Sequence, residues 1–142
     1  MTVPWVRQYF LPQTSVAATV DVSQPMFKAP YAGVVTLVEY VPAQTQAAAT
    51  AVAATVRTYT LYNRVSGAGT TVIARGAITS LVASQTAFGT GFLADQASTL
   101  PLNATTTFLT VAAGDILEWE SSHSDTGLRD VGGLAIVTFS RI

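Results

Sequence analysis

Apolar and polar positions trade places along this chain with a period of two, and turn residues interrupt them at intervals of roughly eight to twelve. The pattern is most regular in residues 105–142, where three strand-like runs are separated by two turns. In the middle run Leu117 and Trp119 point one way, and Glu118 and Glu120 point the other. One apolar face at this period predicts a half-buried antiparallel strand. Gly114-Asp115 separates the first two runs, and Gly127 with Gly132-Gly133 brackets the loop before the last.

Upstream, residues 15–23 read as a strand that carries Val16, Ala18, Val20 and Val22 on one face and is broken by Gln24-Pro25. Residues 26–29 form a short extended piece, and Pro30-Tyr31-Ala32-Gly33 a turn. Residues 34–41 are β-branched and nearly continuously apolar, a strand that Pro42 ends. The Ala-rich 43–54 segment lacks helix caps and is expected to be a loop leading into the next strand. Residues 55–64 and 71–78 flank a Gly-rich loop and predict a hairpin, with Gly76 as a candidate bulge. In the first of these strands Arg57, Tyr59 and Leu61 share a face. Residues 79–104 are less regular.

Short strands at this spacing, with no heptad, predict an all-β, single-domain antiparallel β-sandwich, jelly-roll-like, over residues 14–142. Residues 1–13 are expected to be an extended N-terminal arm. Pro4 and Pro12 flank its large apolar groups, and Trp5, Tyr9 and Phe10 are candidate contacts with a neighbouring subunit or partner. The competing expectation is an edge segment tucked onto the domain's own core.

Composition sharpens this picture. Charged residues are only 11 % of the chain and hydrophobic residues 49 %, against a usual charged share of roughly 25 %. A polar but weakly charged exterior suits a protein that covers itself against copies or a partner. The cations are scattered and the net charge is −1, which argues against nucleic-acid binding. With no cysteine, disulfides and thiol chemistry are excluded. No run of about 18 apolar residues predicts a membrane-spanning helix, and the opening residues do not read as a signal peptide.

Reactive groups are few. His123 is the only histidine, and Ser121, His123 and Asp125 fall in one short stretch with no nucleophile elbow, so a solvent-facing loop histidine is expected. Gly89, Gly91 and Ala94 match a dinucleotide-binding spacing without the strand and helix that give it meaning. Asp115, Glu118, Glu120, Asp125 and Asp130 lack calcium-loop spacing, and read as a solvated face plus a turn-capping Asp115. A glycosidase pair of Glu118 and Glu120 would need an aromatic cleft, and Trp119 points away from both. Asn103-Ala104-Thr105 fits a glycosylation pattern without a secretory signal. No enzyme activity, cofactor or metal is expected.

The run VAAGDILEWESSHSDTGLRDVGGLAIVTFSR, residues 111–141, resembles a group of small tailed-bacteriophage virion proteins. In that group a strand beginning Val-Ala-Ala-Gly-Asp leads to a Trp, a Thr-Gly loop, a Gly-Gly turn and a last strand ending in Ser-Arg. TYTLYNRVSGAGTTVIA, residues 58–74, is similar to the group's hairpin. The resemblance implies a capsid decoration (cement) or minor head protein, made in the host cytoplasm and carried on the capsid surface. It implies the major capsid protein as partner and, with icosahedral symmetry, a homotrimer. Leu117, Trp119, Ile136, Val137 and Phe139 are then expected to supply the core, with a trimer axis as a further candidate role, and removal of residues 1–11 to leave the domain folded but less well retained on capsids. The alternative is a phage tail or fibre β-module that binds a host-surface glycan through Tyr31, Tyr40, Tyr59 and Tyr62.

Overall fold

A computed structural model describes residues 4–13, 20–44, 46–47, 56–65, 69–79, 91–92, 95–124 and 130–142. Among them the strands are β1 (Trp5–Leu11), β2 (Val22–Lys28), β3 (Gly33–Pro42), β4 (Gln46–Ala47), β5 (Val56–Arg64), β6 (Thr71–Thr79), β7 (Gly91–Phe92), β8 (Ser98–Thr99), β9 (Thr110–Val111), β10 (Ile116–Ser124) and β11 (Gly133–Arg141). One sheet has the order β1-β11-β3-β8, with β9 also on β3. The second has the order β2-β10-β5-β6, and β4 pairs β7 in a small ribbon. Every pairing is antiparallel. The two larger sheets pack into a β-sandwich around one core.

The predicted alternation is what builds that core. Along β11, Ala135, Val137 and Phe139 are buried and the residues between them are half-buried. On β10, Leu117, Trp119 and Ser121 face inward. β3 contributes Val35, Val38 and Tyr40, and β5 contributes Tyr59 and Leu61. Full burial of such apolar side chains stabilises by about 1.5–3 kcal/mol each. Tyr40, Tyr59 and Trp119 form the central aromatic contact, with ring centroids 4.4–5.8 Å apart. Ile136 corrects the expected core set: it is one residue out of phase with Val137 and lies on the outer face.

Four local expectations change. Gln24-Pro25 does not end a strand but lies inside β2; of the strand expected over residues 15–23, residues 22–23 open β2, 20–21 are not strand and 15–19 lie outside the described residues. The register slips there, Leu117 facing Phe27 and Glu118 facing Pro25, so that Met26 is the extra residue of a bulge. A sheet edge tolerates proline because one side of the strand has no partner to bond. The hairpin bulge falls at Ile73, between the Leu61–Ala74 and Tyr62–Val72 pairs, while Gly76 pairs regularly with Tyr59. The run before Gly114 is a 3-10 turn, Thr106–Leu109, followed by the two-residue β9. In the 43–54 segment, Gln46–Ala47 forms β4, and residues 45 and 48–54 lie outside the described residues.

Residues 5–11 are a strand of the domain. β1 pairs with β11 without interruption, from Trp5 opposite Phe139 to Leu11 opposite Gly133. The two prolines stand just outside it and limit its length. Trp5 packs edge-on against Phe139 and Phe27, at 4.7 and 5.5 Å between centroids, and so ties β1 to both sheets. Cutting residues 1–11 would remove this strand and open the core, so the deletion is expected to destabilise the domain.

Candidate functional site

The outer face of the first sheet carries three cross-strand rows. Phe10 lies opposite Leu134, and Leu134 opposite Val41. The next row is Gln8, Ile136 and Glu39, and the third is Val6, Thr138 and Leu37. Side chains opposite one another on a sheet face are about 4.5–5.5 Å apart at Cβ, so the apolar members form one surface. Phe10 is 71 % exposed and Val6 51 %, while the β11 and β3 members are half-buried. An open depression of about 260 Å³ lies at one end, lined by Phe10, Val41, Pro42, Ala43, Asp95, Gly133 and Leu134. An apolar sheet face of this kind marks a contact surface more often than a chemical centre.

The three proposed contact residues divide. Phe10 projects outward. Trp5 and Tyr9 are half-buried and pack against the core. Sequence reasoning missed Leu37, Val41, Leu134 and Ile136 as the rest of the face. The available signal was the continuous apolar run in β3 and β11, which implies that both faces of these strands are covered by something.

The acidic residues have structural partners. Asp115 accepts hydrogen bonds from the Ala112 N–H at 2.9 Å and from the Asn63 amide at 2.8 Å, which caps the turn as expected. The Asp130 carboxylate accepts the Gly132 N–H at 3.0 Å. Glu118 pairs with Arg64 at 2.7 Å, and Glu120 accepts the Tyr62 hydroxyl at 3.3 Å. Among the described residues no group of three or more His, Asp or Glu side chains converges as a metal site would require. Asn103 is used locally: its amide donates to the Val72 carbonyl and its side-chain oxygen accepts the Thr105 N–H.

His123 is corrected. It is a residue of β10, 24 % exposed, with Nδ1 2.6 Å from Asp21 Oδ1. Its backbone N–H also donates to Asp21, at 2.7 Å. Arg57, opposite His123 in the β5–β10 register, is fully buried and donates to the Val20 carbonyl at 2.8 Å. Partial burial works against the Asp21 charge, but the hydrogen bonds from His123 and the nearby His123 and Arg57 charges outweigh it and hold the carboxyl below its ordinary value. This cluster fastens the start of β2 to the end of β10. Asp125, the third member of the sequence-stretch triad, lies outside the described residues, as do Gly89 and Ala94 of the dinucleotide spacing.

Of the four tyrosines, Tyr40 and Tyr59 are fully buried and unavailable to a ligand. Tyr31 stacks on Phe139 and Tyr62 lies under the Arg64 guanidinium.

The fold and this face define an all-β sandwich whose first sheet carries a connected apolar patch on its outer face, interrupted by Gln8, Glu39 and Thr138. No protein-family model matches the chain, and no curated protein matches it.

Proposed function

We propose that this chain is a structural protein of a tailed-bacteriophage virion, a decoration protein that docks on the outer surface of the major capsid protein shell and stabilises it. The observation that carries this reading is the apolar outer face of β1, β11 and β3 on a weakly charged domain. The strand order supports it. Eight strands alternate between β1-β11-β3-β8 and β2-β10-β5-β6, an order that favours reading the sandwich as jelly-roll-like. The resemblance in residues 58–74 and 111–141 supports the viral setting.

Magnitudes bear on the mode of docking. A patch of about 400 Å² yields roughly 10 kcal/mol at 25 cal/mol per Å². Association costs of roughly 4–15 kcal/mol take most of that back. One copy would hold marginally, and linked copies gain from effective concentration. Three copies gathered at a capsid three-fold would supply such linkage, a form that the lattice would impose. The protein would be made in the host cytoplasm and reside on the capsid surface.

Co-sedimentation with shells of the cognate major capsid protein tests this reading. Wild-type chain is expected to pellet with the shells and raise their melting temperature. Ile136→Glu and Leu37→Glu, which leave β1 untouched, are expected to abolish both effects. Wild-type chain that stays in the supernatant would overturn the proposal. The glycan-binding alternative has lost two of its four aromatic candidates to the core and has no separate support.

A further inference from the structure

The free edges of the two sheets are not alike. On the second sheet β2 is interrupted by Pro25 and its bulge. The β6 edge is partly covered by the following segment: the Arg75 N–H donates to the Pro101 carbonyl, the Asn103 N–H donates to the Ile73 carbonyl, and Leu102 bridges Ala74. On the first sheet the far edge consists, among the described residues, of the two-residue β8 and β9. Each of these is a known way of blocking further strand addition. β1 has none of them. It runs seven residues without a proline or bulge, carries one charge, Arg7, and among the described residues pairs only on its β11 side.

We propose that β1 is a self-pairing edge, and that two copies of the chain join through antiparallel β1–β1 pairing centred on Gln8. The register follows from three requirements. A two-fold axis normal to the sheet must pass midway between the two copies of one residue, so that outward side chains meet outward ones. Centring on Gln8 pairs all seven residues: Gln8 with Gln8, Arg7 with Tyr9, Val6 with Phe10 and Trp5 with Leu11. Centring on Arg7 would set the two guanidinium groups directly opposite each other, which is destabilising. In the Gln8 register the exposed Val6 and Phe10 cover one another across the join, and Arg7 meets an aromatic ring. The occupant is therefore a second copy, selected by the self-complementarity of WVRQYFL.

This inference does not rest on the capsid reading, and the residues tested differ from those of the face experiment. Light scattering on the free chain, at concentrations up to about 1 mM, the weak end of measurable association, is expected to show the mass rise from 14.8 kDa to twice that value. Val6→Glu with Phe10→Glu places like charges opposite each other at both ends and is expected to leave a monomer. Val6→Lys with Phe10→Glu places opposite charges there and is expected to restore the pair. Both positions are exposed, so both variants should keep the wild-type circular dichroism. A wild-type monomer or trimer overturns the proposal, as does a dimer that both double variants keep or both lose.

Discussion

Replacing Tyr40 by Phe removes one oxygen from the middle of the sandwich and leaves the ring in place. The Tyr40 hydroxyl donates to the Gly132 carbonyl at 2.6 Å and lies 3.4 Å from the Tyr59 hydroxyl. Burial, then the neighbouring Tyr59, raises its pKa far above the ordinary phenol value, so it remains a neutral donor at every working pH. A buried hydrogen bond contributes about 0.5–1.5 kcal/mol net, and an orphaned buried acceptor costs about 1–3 kcal/mol. Here the acceptor is not wholly orphaned, because the Ala43 N–H also reaches the Gly132 carbonyl, at 3.2 Å. The expected loss is therefore about 1–1.5 kcal/mol. At roughly 2.1 cal/mol/K of unfolding entropy per residue, a chain of this length loses about 3 °C of Tm per kcal/mol. Differential scanning calorimetry should show Tyr40→Phe melting about 3–5 °C below wild type. Tyr62→Phe serves as the comparison, since that hydroxyl is only part-buried, and should move Tm by less than about 2 °C. Equal shifts for the two variants, or no shift for Tyr40→Phe, would refute the claim that this hydroxyl ties β3 to the turn before β11.

Other substitutions probe separate features. Gly133 has φ +135° and an added Cβ would run into the Val41 carbonyl, so Gly133→Ala should cost roughly 3 kcal/mol in urea unfolding. Asp115→Ala strands the buried Asn63 amide and the Ala112 N–H and should lower the urea midpoint by an amount equivalent to about 2 kcal/mol. Asp21 has a lowered folded-state pKa, so its contribution is complete above the ordinary value of 3.8 and is lost as pH falls through the folded value. Asp21→Asn should therefore be somewhat less stable than wild type at pH 7, and its Tm should fall less steeply under acid.

The sandwich was legible because period-two patterning reports which side of a strand faces the core, and β10 and β11 follow it closely. What escaped depended on context that no local pattern carries. Pro25 reads as a breaker unless one knows that β2 is an edge strand with a bulge. Ile136 and Val137 are chemically alike, and only the register against β3 says which one is buried. Tyr40 and Tyr59 read from sequence as candidates for a ligand surface under the alternative function because tyrosine is ambivalent; both are buried, and the Tyr40 hydroxyl donates to the buried Gly132 carbonyl. Arg57, on a face with Tyr59 and Leu61, was the one strong local hint of a hidden polar partner. Asp21 supplies part of it from 36 residues upstream. Of the candidate site, Phe10 could be named from its aromatic segment, whereas Leu37, Val41, Leu134 and Ile136 become a surface only when β1, β11 and β3 lie side by side.

The positions of β10 and β11 have a bearing on biosynthesis. Each lies between two earlier strands, β10 between β2 and β5 and β11 between β1 and β3. While a ribosome is still adding residues 116–141, neither layer has its middle, and β1 and β3 wait with unpaired edges. Such long-separation topology folds on the millisecond-to-second scale, and until the last two strands insert, the waiting edges are exposed to wrong pairing.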